Sequence, residues 1–130
     1  MSPNLQIIGF IHSSLKSLDD CPLQEKEDAP GATIILYPEY AAAAGNLAAG
    51  DDILLFTWLH LANREVLTCV PRKNFDAPHL GVFSTRSPDR PNPIGLHQVK
   101  VLAVPGNGTI QVAALEVLDQ TPLIDIKPVI

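Results

Sequence analysis

Short apolar runs, rich in β-branched and aromatic side chains, alternate with turn residues along the whole chain. Leu5 to Ile11, Thr33 to Tyr37, Ile53 to Leu59, Val66 to Val70 and Gly81 to Ser84 have the composition and boundaries of strands. Two longer candidates, Val99 to Val104 and Thr109 to Leu118, flank Pro105-Gly106-Asn107-Gly108, which predicts a hairpin. One short helix is expected after Pro38, over Glu39 to Ala44. Proline presets its first turn, an acid sits near its positive end and alanines propagate it. Gly45 or Asn46 is expected to end that helix in the left-handed conformation. So many short strands favour an all-β, mainly β fold, a barrel or a sandwich, because closure hides strand edges.

Composition narrows the picture. Residues 1–130 make one domain, and 46% apolar with 18% charged residues is enough to build a core without staples. Twelve prolines and eight glycines argue against a helical bundle. No apolar run reaches bilayer length and the N-terminus lacks a signal-peptide pattern, so the expectation is a cytoplasmic protein with no membrane contact. Cys21 and Cys69 lack metal spacing and read as free thiols in a reducing compartment. His12, His60, His79 and His97 share no ligand spacing either, so no metal is expected. A Rossmann-type glycine turn and a P-loop are both absent from the sequence.

The net charge of −5 conceals an asymmetry. Residues 64–100 carry Arg64, Arg72, Lys73, Arg86, Arg90 and Lys100 against Glu65, Asp76 and Asp89, so an anionic ligand is expected there. Within this segment Gly81 to Leu96 is the unusual stretch. Pro88, Pro91 and Pro93 stiffen it into an extended loop that presents Arg86 and Arg90 at low entropic cost, with Asn92 and Gly95 beside them. The competing reading is a rigid connector whose arginines cap carbonyls. Trp58 and His60, two residues apart at a strand end, could share one face of a pocket, although a lone tryptophan is more often core. At the C-terminus Asp119, Thr121 and Pro122 are turn chemistry, and Asp125 is expected opposite Ile124 and Ile126 in a closing strand, where it could pair with Lys127.

Taken together these pieces resemble the TsaA-like family, also called YaeB or TrmO-type proteins. The matching motifs are Ile8-Gly9-Phe10-Ile11 followed by Pro22-Leu23-Gln24, the block GVFSTRSPDRPNPIGL at Gly81 to Leu96, and the block Leu118 to Pro128. The resemblance spans nearly the whole chain. It implies a small β-barrel with one short helix that dimerises, binds S-adenosylmethionine without a Rossmann fold, and methylates N6 of threonylcarbamoyladenosine at tRNA position 37. Carried over by motif position, Gln24, Trp58, Leu59, His60, Arg86, Leu96, Asp119, Gln120, Thr121 and Pro122 would contact the cofactor. Arg90 and Asn92 would meet the substrate or the partner chain. The sequence departs from the pattern at Gln120, where glycine is common, at Val129, where tyrosine is common, and in lacking the C-terminal extension of longer members.

The implied chemistry assigns further roles. Methyl transfer from a sulfonium depends on alignment and exclusion of water, with Asp119 and nearby carbonyls as neighbours of the sulfonium and Arg86 as donor to the methionine carboxylate. The N6 atom is amide-like and needs a proton removed, for which Asp125 and His60 are the candidate bases. Arg64 or Arg90 suits the threonyl carboxylate of the substrate, and Arg72 and Lys73 suit phosphates. Two rivals stand beside this reading. One is a non-catalytic module that offers Pro88 to Pro91 as a polyproline docking peptide, and the other is the same barrel acting on another RNA base or a small molecule.

Overall fold

Alternation of period two decides which side chains turn inward. In the computed structural model, which describes residues 3–16, 31–70, 78–115 and 117–130, the strand Asp52–Trp58 buries Ile53, Leu55 and Thr57 and leaves Leu54, Phe56 and Trp58 on its outer face. In chain order the strands are β1 (Gly9–His12), β2 (Ala32–Leu36), β3 (Asp52–Trp58), β4 (Thr68–Cys69), β5 (Leu80–Gly81), β6 (Ile94–Gly106), β7 (Thr109–Val112) and β8 (Thr121–Pro128). Six of them close into an antiparallel barrel in the order β1-β2-β7-β6-β3-β8, and β4 and β5 form a separate two-stranded sheet. Closure leaves the barrel no free edge.

Ile11, Ile34, Ile53, Leu55, Ile110 and Leu123 fill the interior and are fully buried. A 3-10 helix, Pro38–Ala44, covers one end of the barrel, where Ala44 and Leu47 meet Ile8, Leu36 and Ile126. The opposite end is covered by the segment after β7, with Leu115 and Val117 buried. It is at this second end that the turn after β3, the proline-rich loop before β6 and the turn before β8 emerge side by side.

The barrel and the hairpin are as the sequence predicts. Asn107 and Gly108, with φ of 56° and 76°, join β6 to β7 in the two-residue form that suits the strand twist. Other elements differ for identifiable reasons. The helix is 3-10, and Gly45 is right-handed with φ −63°, because the chain runs directly into a further turn in which Leu47 N–H donates to Ala44 O. Val82–Ser84 is a 3-10 turn rather than strand, since Val82 O is taken by the Thr85 N–H and hydroxyl. β7 stops at Val112, short of Leu118, because the chain turns away from the sheet at Ala114, whose φ is 55°. The runs expected over 5–11 and 66–70 shrink to Gly9–His12 and Thr68–Cys69, whereas β6 begins earlier, at Ile94, inside the proline-rich block.

Gly9 shows why one strand pairing requires glycine. A Cβ at this position would fall onto the Ile35 carbonyl oxygen and lie 2.8 Å from Leu36 Cα, both backbone atoms of the paired strand β2. Gly9→Ala is expected to destabilise the barrel by about 1–3 kcal/mol through this overlap. Urea unfolding followed by circular dichroism measures it, and an unchanged midpoint would show that β1 and β2 can part at no cost.

Candidate functional site

The proline-rich loop has carbonyls in excess of N–H donors, because Pro88, Pro91 and Pro93 have none to give. Arginines supply the difference. Arg90 Nη1 donates to Thr85 O at 2.9 Å and Ser87 O at 3.0 Å, and its Nη2 donates to Val82 O at 2.9 Å. Arg64, from the turn after β3, donates through Nε to Pro91 O at 2.7 Å and through Nη2 to Asn92 Oδ1 at 3.3 Å. Its guanidinium carbon also lies 5.1 Å from the centre of the Trp58 ring. Two more bonds join the same segments: Asn63 N–H to Asp89 Oδ1 at 2.8 Å, and Leu59 N–H to Pro93 O at 2.8 Å.

Two cavities of about 330 Å³ each open around this seam. The first is mainly apolar, with Leu59, Leu61, Ala62, Val117 and Leu118, and has His60, Asp89 and Thr121 at its polar positions. The second is more polar and is walled by Thr85, Arg86, Ser87, Asn92, Leu96 and neighbouring groups. Leu59 and His97 belong to both. Behind them Thr57 Oγ1 and His97 Nε2 lie 3.0 Å apart, with Thr57 fully buried. A Cβ on Gly95 would strike the Thr57 hydroxyl and lie 2.8 Å from His97 Nε2, so glycine is needed here for close approach. Among the described residues Arg86 makes no hydrogen bond or ion pair, and its fork is available to the second cavity.

The structure therefore divides the residues singled out from sequence. Leu59, His60 and Thr121 line the first cavity, and Leu59, Arg86, Arg90, Asn92 and Leu96 line the second. Gln24, Arg72 and Lys73 lie outside the described residues. Trp58 lines neither cavity: β3 ends at this residue, so strand alternation does not carry on to His60, and its ring lies beneath the Arg64 guanidinium. Of the two loop arginines Arg90 holds carbonyls, as the connector reading expected, whereas Arg86 holds none among the described residues; Arg64, from outside the loop, also holds one. Pro122 pairs with Phe10 of β1 and lines neither cavity. Asp125 is also misplaced as a base for this cleft. It lines a different cavity beneath the 3-10 helix, and its Oδ1 accepts from the Ile126 N–H at 2.9 Å instead of pairing with Lys127. His97 and Thr57 were missed, although the inward register that places Ile53 and Leu55 already marks Thr57 as a polar group facing the core.

Asp119 has a structural task that leaves little of it for a cofactor. Its Oδ1 accepts the Ser13 N–H at 2.8 Å and lies 3.2 Å from His12 Nδ1, while Oδ2 pairs with Lys16 Nζ at 2.9 Å. These bonds tie the end of β1 to the turn before β8. Led by the Ser13 N–H and then Lys16, they hold its carboxyl at about 2, below the ordinary 3.8, against an opposing effect of burial. Gln120, beside it, has φ of 69°, which explains why glycine would suit this position. Among the described residues no three His, Cys, Asp or Glu side chains gather as a metal site would, and no helix is long and apolar enough to cross a membrane.

The molecule is thus a closed β-barrel with a stiff, arginine-bearing cleft across one end, built without the glycine turn of dinucleotide-binding sheets. The chain belongs to the tRNA-methyltransferase O family, whose N-terminal-domain model matches residues 10–130. It is 37% identical over 123 residues to an S-adenosyl-L-methionine-binding protein of Archaeoglobus fulgidus, covering 95% of this chain and 86% of that one. It is 39% identical over 128 residues to a "Probable S-adenosyl-L-methionine-binding protein" of Methanothermobacter thermautotrophicus, covering 98% and 90%. The solved structure of TrmO from Pseudomonas aeruginosa matches all of this chain with a TM-score of 0.78 and 29% identity. The chain spans 57% of that protein's length.

Two predictions come from the turn before β8. Because folding lowers the Asp119 pKa, the folded state binds this proton less readily than the unfolded chain. Its contribution is full above about pH 5 and is lost as pH falls through the folded value near 2. Asp119→Asn is expected to lower stability by about 1 kcal/mol at neutral pH. The gap to the parent should close on acidification, and melting curves at stepped pH read it; a gap independent of pH would mean that the charge is irrelevant. Gln120→Gly is expected to raise stability, by about 0.5–1 kcal/mol, through relief of positive-φ strain. A lower denaturation midpoint in this variant would contradict that account.

Proposed function

We propose that this chain is the catalytic barrel of a cytoplasmic S-adenosylmethionine-dependent tRNA methyltransferase, acting on N6 of threonylcarbamoyladenosine at position 37. The observation that carries the reading is the junction of a mainly apolar cavity with one that presents an uncommitted arginine fork, in a member of the tRNA-methyltransferase O family. The donor set fits such a cofactor. An adenine ring needs apolar walls and a few polar groups, which Leu59, Leu118 and Thr121 supply, while an amino-acid carboxylate suits Arg86. When bound, S-adenosylmethionine supplies an electrophilic methyl group.

The chain's own residues do the rest. Leu59, Val117 and Leu118 exclude water, the braced loop fixes the backbone that carries Arg86, and His60 is the candidate for taking a proton from the acceptor nitrogen. The site is completed in a homodimer. Leu61, Ile94 and Leu96 are open to solvent on the segments that form the cleft, and Phe83, 84% exposed, Leu67, 66%, and Leu80 are exposed on and beside the neighbouring β4–β5 sheet. So much apolar surface around a site supports a second copy covering it.

Calorimetric titration with S-adenosylmethionine is expected to give saturable binding, weakened about tenfold or more in Arg86→Ala by loss of a charge-assisted bond to the carboxylate. No binding at millimolar cofactor would refute the enzyme reading. Nucleoside mass spectrometry of tRNA incubated with protein and cofactor is expected to show methylated threonylcarbamoyladenosine. Cofactor binding without that product, but with methyl transfer to another RNA or a small molecule, would replace the acceptor and keep the barrel.

A further inference from the structure

Arg64 touches neither cavity, yet it lies where the two segments that build both of them meet. Its fork holds Pro91 O and Asn92 Oδ1, and its guanidinium carbon lies over the ring of Trp58, the last residue of β3, 5.1 Å from the ring centre. The residue after Trp58 is Leu59, the wall common to both cavities, whose N–H donates to Pro93 O. One side chain thus bonds the loop at Pro91 and Asn92 while stacking on the strand that delivers Leu59. Arg90 cannot replace it, because Arg90 holds the earlier half of the loop at Val82, Thr85 and Ser87. Arg86 is uncommitted and stands in this earlier half, so its position relative to Leu59 depends on how the loop is tied to the turn after β3. Arg64 makes that tie together with the Asn63 N–H to Asp89 Oδ1 and Leu59 N–H to Pro93 O bonds.

We propose that Arg64 is a positioning residue: it clamps the proline-rich loop to the end of β3 and thereby sets the spacing between Arg86 and Leu59 across the cleft. The proposal rests on the cofactor reading above only for its binding readout. Clamping needs a planar fork that can donate sideways and stack at the same time, which lysine cannot do although it keeps the charge. A group that contacts an anionic substrate makes the opposite demand, since lysine serves a phosphate well.

The chain has a single tryptophan, so Trp58 emission reports the clamp directly in the protein alone. In both Arg64→Lys and Arg64→Ala the emission is expected to shift to the red and iodide quenching to increase, with far-UV circular dichroism and cooperative unfolding retained. Both variants are expected to bind S-adenosylmethionine about tenfold more weakly, a loss of about 1.4 kcal/mol. The slope of tRNA affinity against salt stays as in the parent, because no phosphate contact is removed. Unchanged emission in both variants would overturn the clamp. So would an Arg64→Lys protein that binds cofactor like the parent, or an Arg64→Ala protein whose only loss is tRNA affinity with a shallower salt slope. If the parent protein takes up no cofactor, the functional reading fails, and the fluorescence and quenching results still decide the clamp.

Discussion

A loop whose backbone can form neither a helix nor a sheet ladder must be held largely by side chains, and the cleft depends on how this is done. Between Pro88 and Pro93 the backbone lacks three N–H groups, so neither a helix nor a sheet ladder can organise it. Arg90 gathers the carbonyls of Val82, Thr85 and Ser87 from within the loop, and Arg64 reaches across from the turn after β3 to Pro91 and Asn92. A guanidinium suits this work because its donors diverge in one plane and reach several carbonyls together. The stiffness of proline and the reach of arginine are complementary: one removes the alternatives, the other selects the geometry. Arg86, left without such a task, is displayed at a cavity by a loop already ordered before any ligand arrives.

The sequence carried this fold unevenly. Strand alternation in Ile53 to Leu59, the Asn107-Gly108 turn and the proline punctuation were legible because each is local, set by sterics within a few residues. The ends of elements were not, because they are decided by partners distant in the chain. β7 stops where the chain leaves β6 at Ala114, just past the Ala113 N–H bond to Lys100 O, and Val82–Ser84 begins where the Val82 N–H bonds to Leu67 O. The cleft shows the same division. Its loop could be recognised and its arginines named, but whether a guanidinium opens onto a cavity or holds carbonyls depends on packing, and here Arg86 does the first and Arg90 the second only four residues apart. Asp119 and Asp125 show the limit from another side. Both stand in the C-terminal block, yet one is tied to Ser13 and Lys16 while the other faces the far end of the barrel.

The position of the cleft at one end of the barrel follows from a change of polarity along its interior. Along β3 the inward positions are Ile53, Leu55 and then Thr57, all buried; in reverse along β6 they run from buried Val101 and Val99 to half-buried His97 and buried Gly95. β8 begins at Thr121 before reaching Leu123, and Ser13 follows β1. The end plugged by the 3-10 helix is therefore apolar, and the other end must satisfy a set of hydroxyls. It does so internally, with Ser13 Oγ donating to Val117 O at 2.7 Å, Thr121 Oγ1 to Leu118 O at 2.6 Å, and Thr57 close to His97. These bonds draw the segment 117–121 over the barrel mouth, where Val117 and Leu118 become the apolar wall of the first cavity. Buried polar groups must be paired, and at this end pairing them is what builds the pocket. A barrel apolar to both ends could close as tightly, but it would have no reason to bring these three segments together at one mouth.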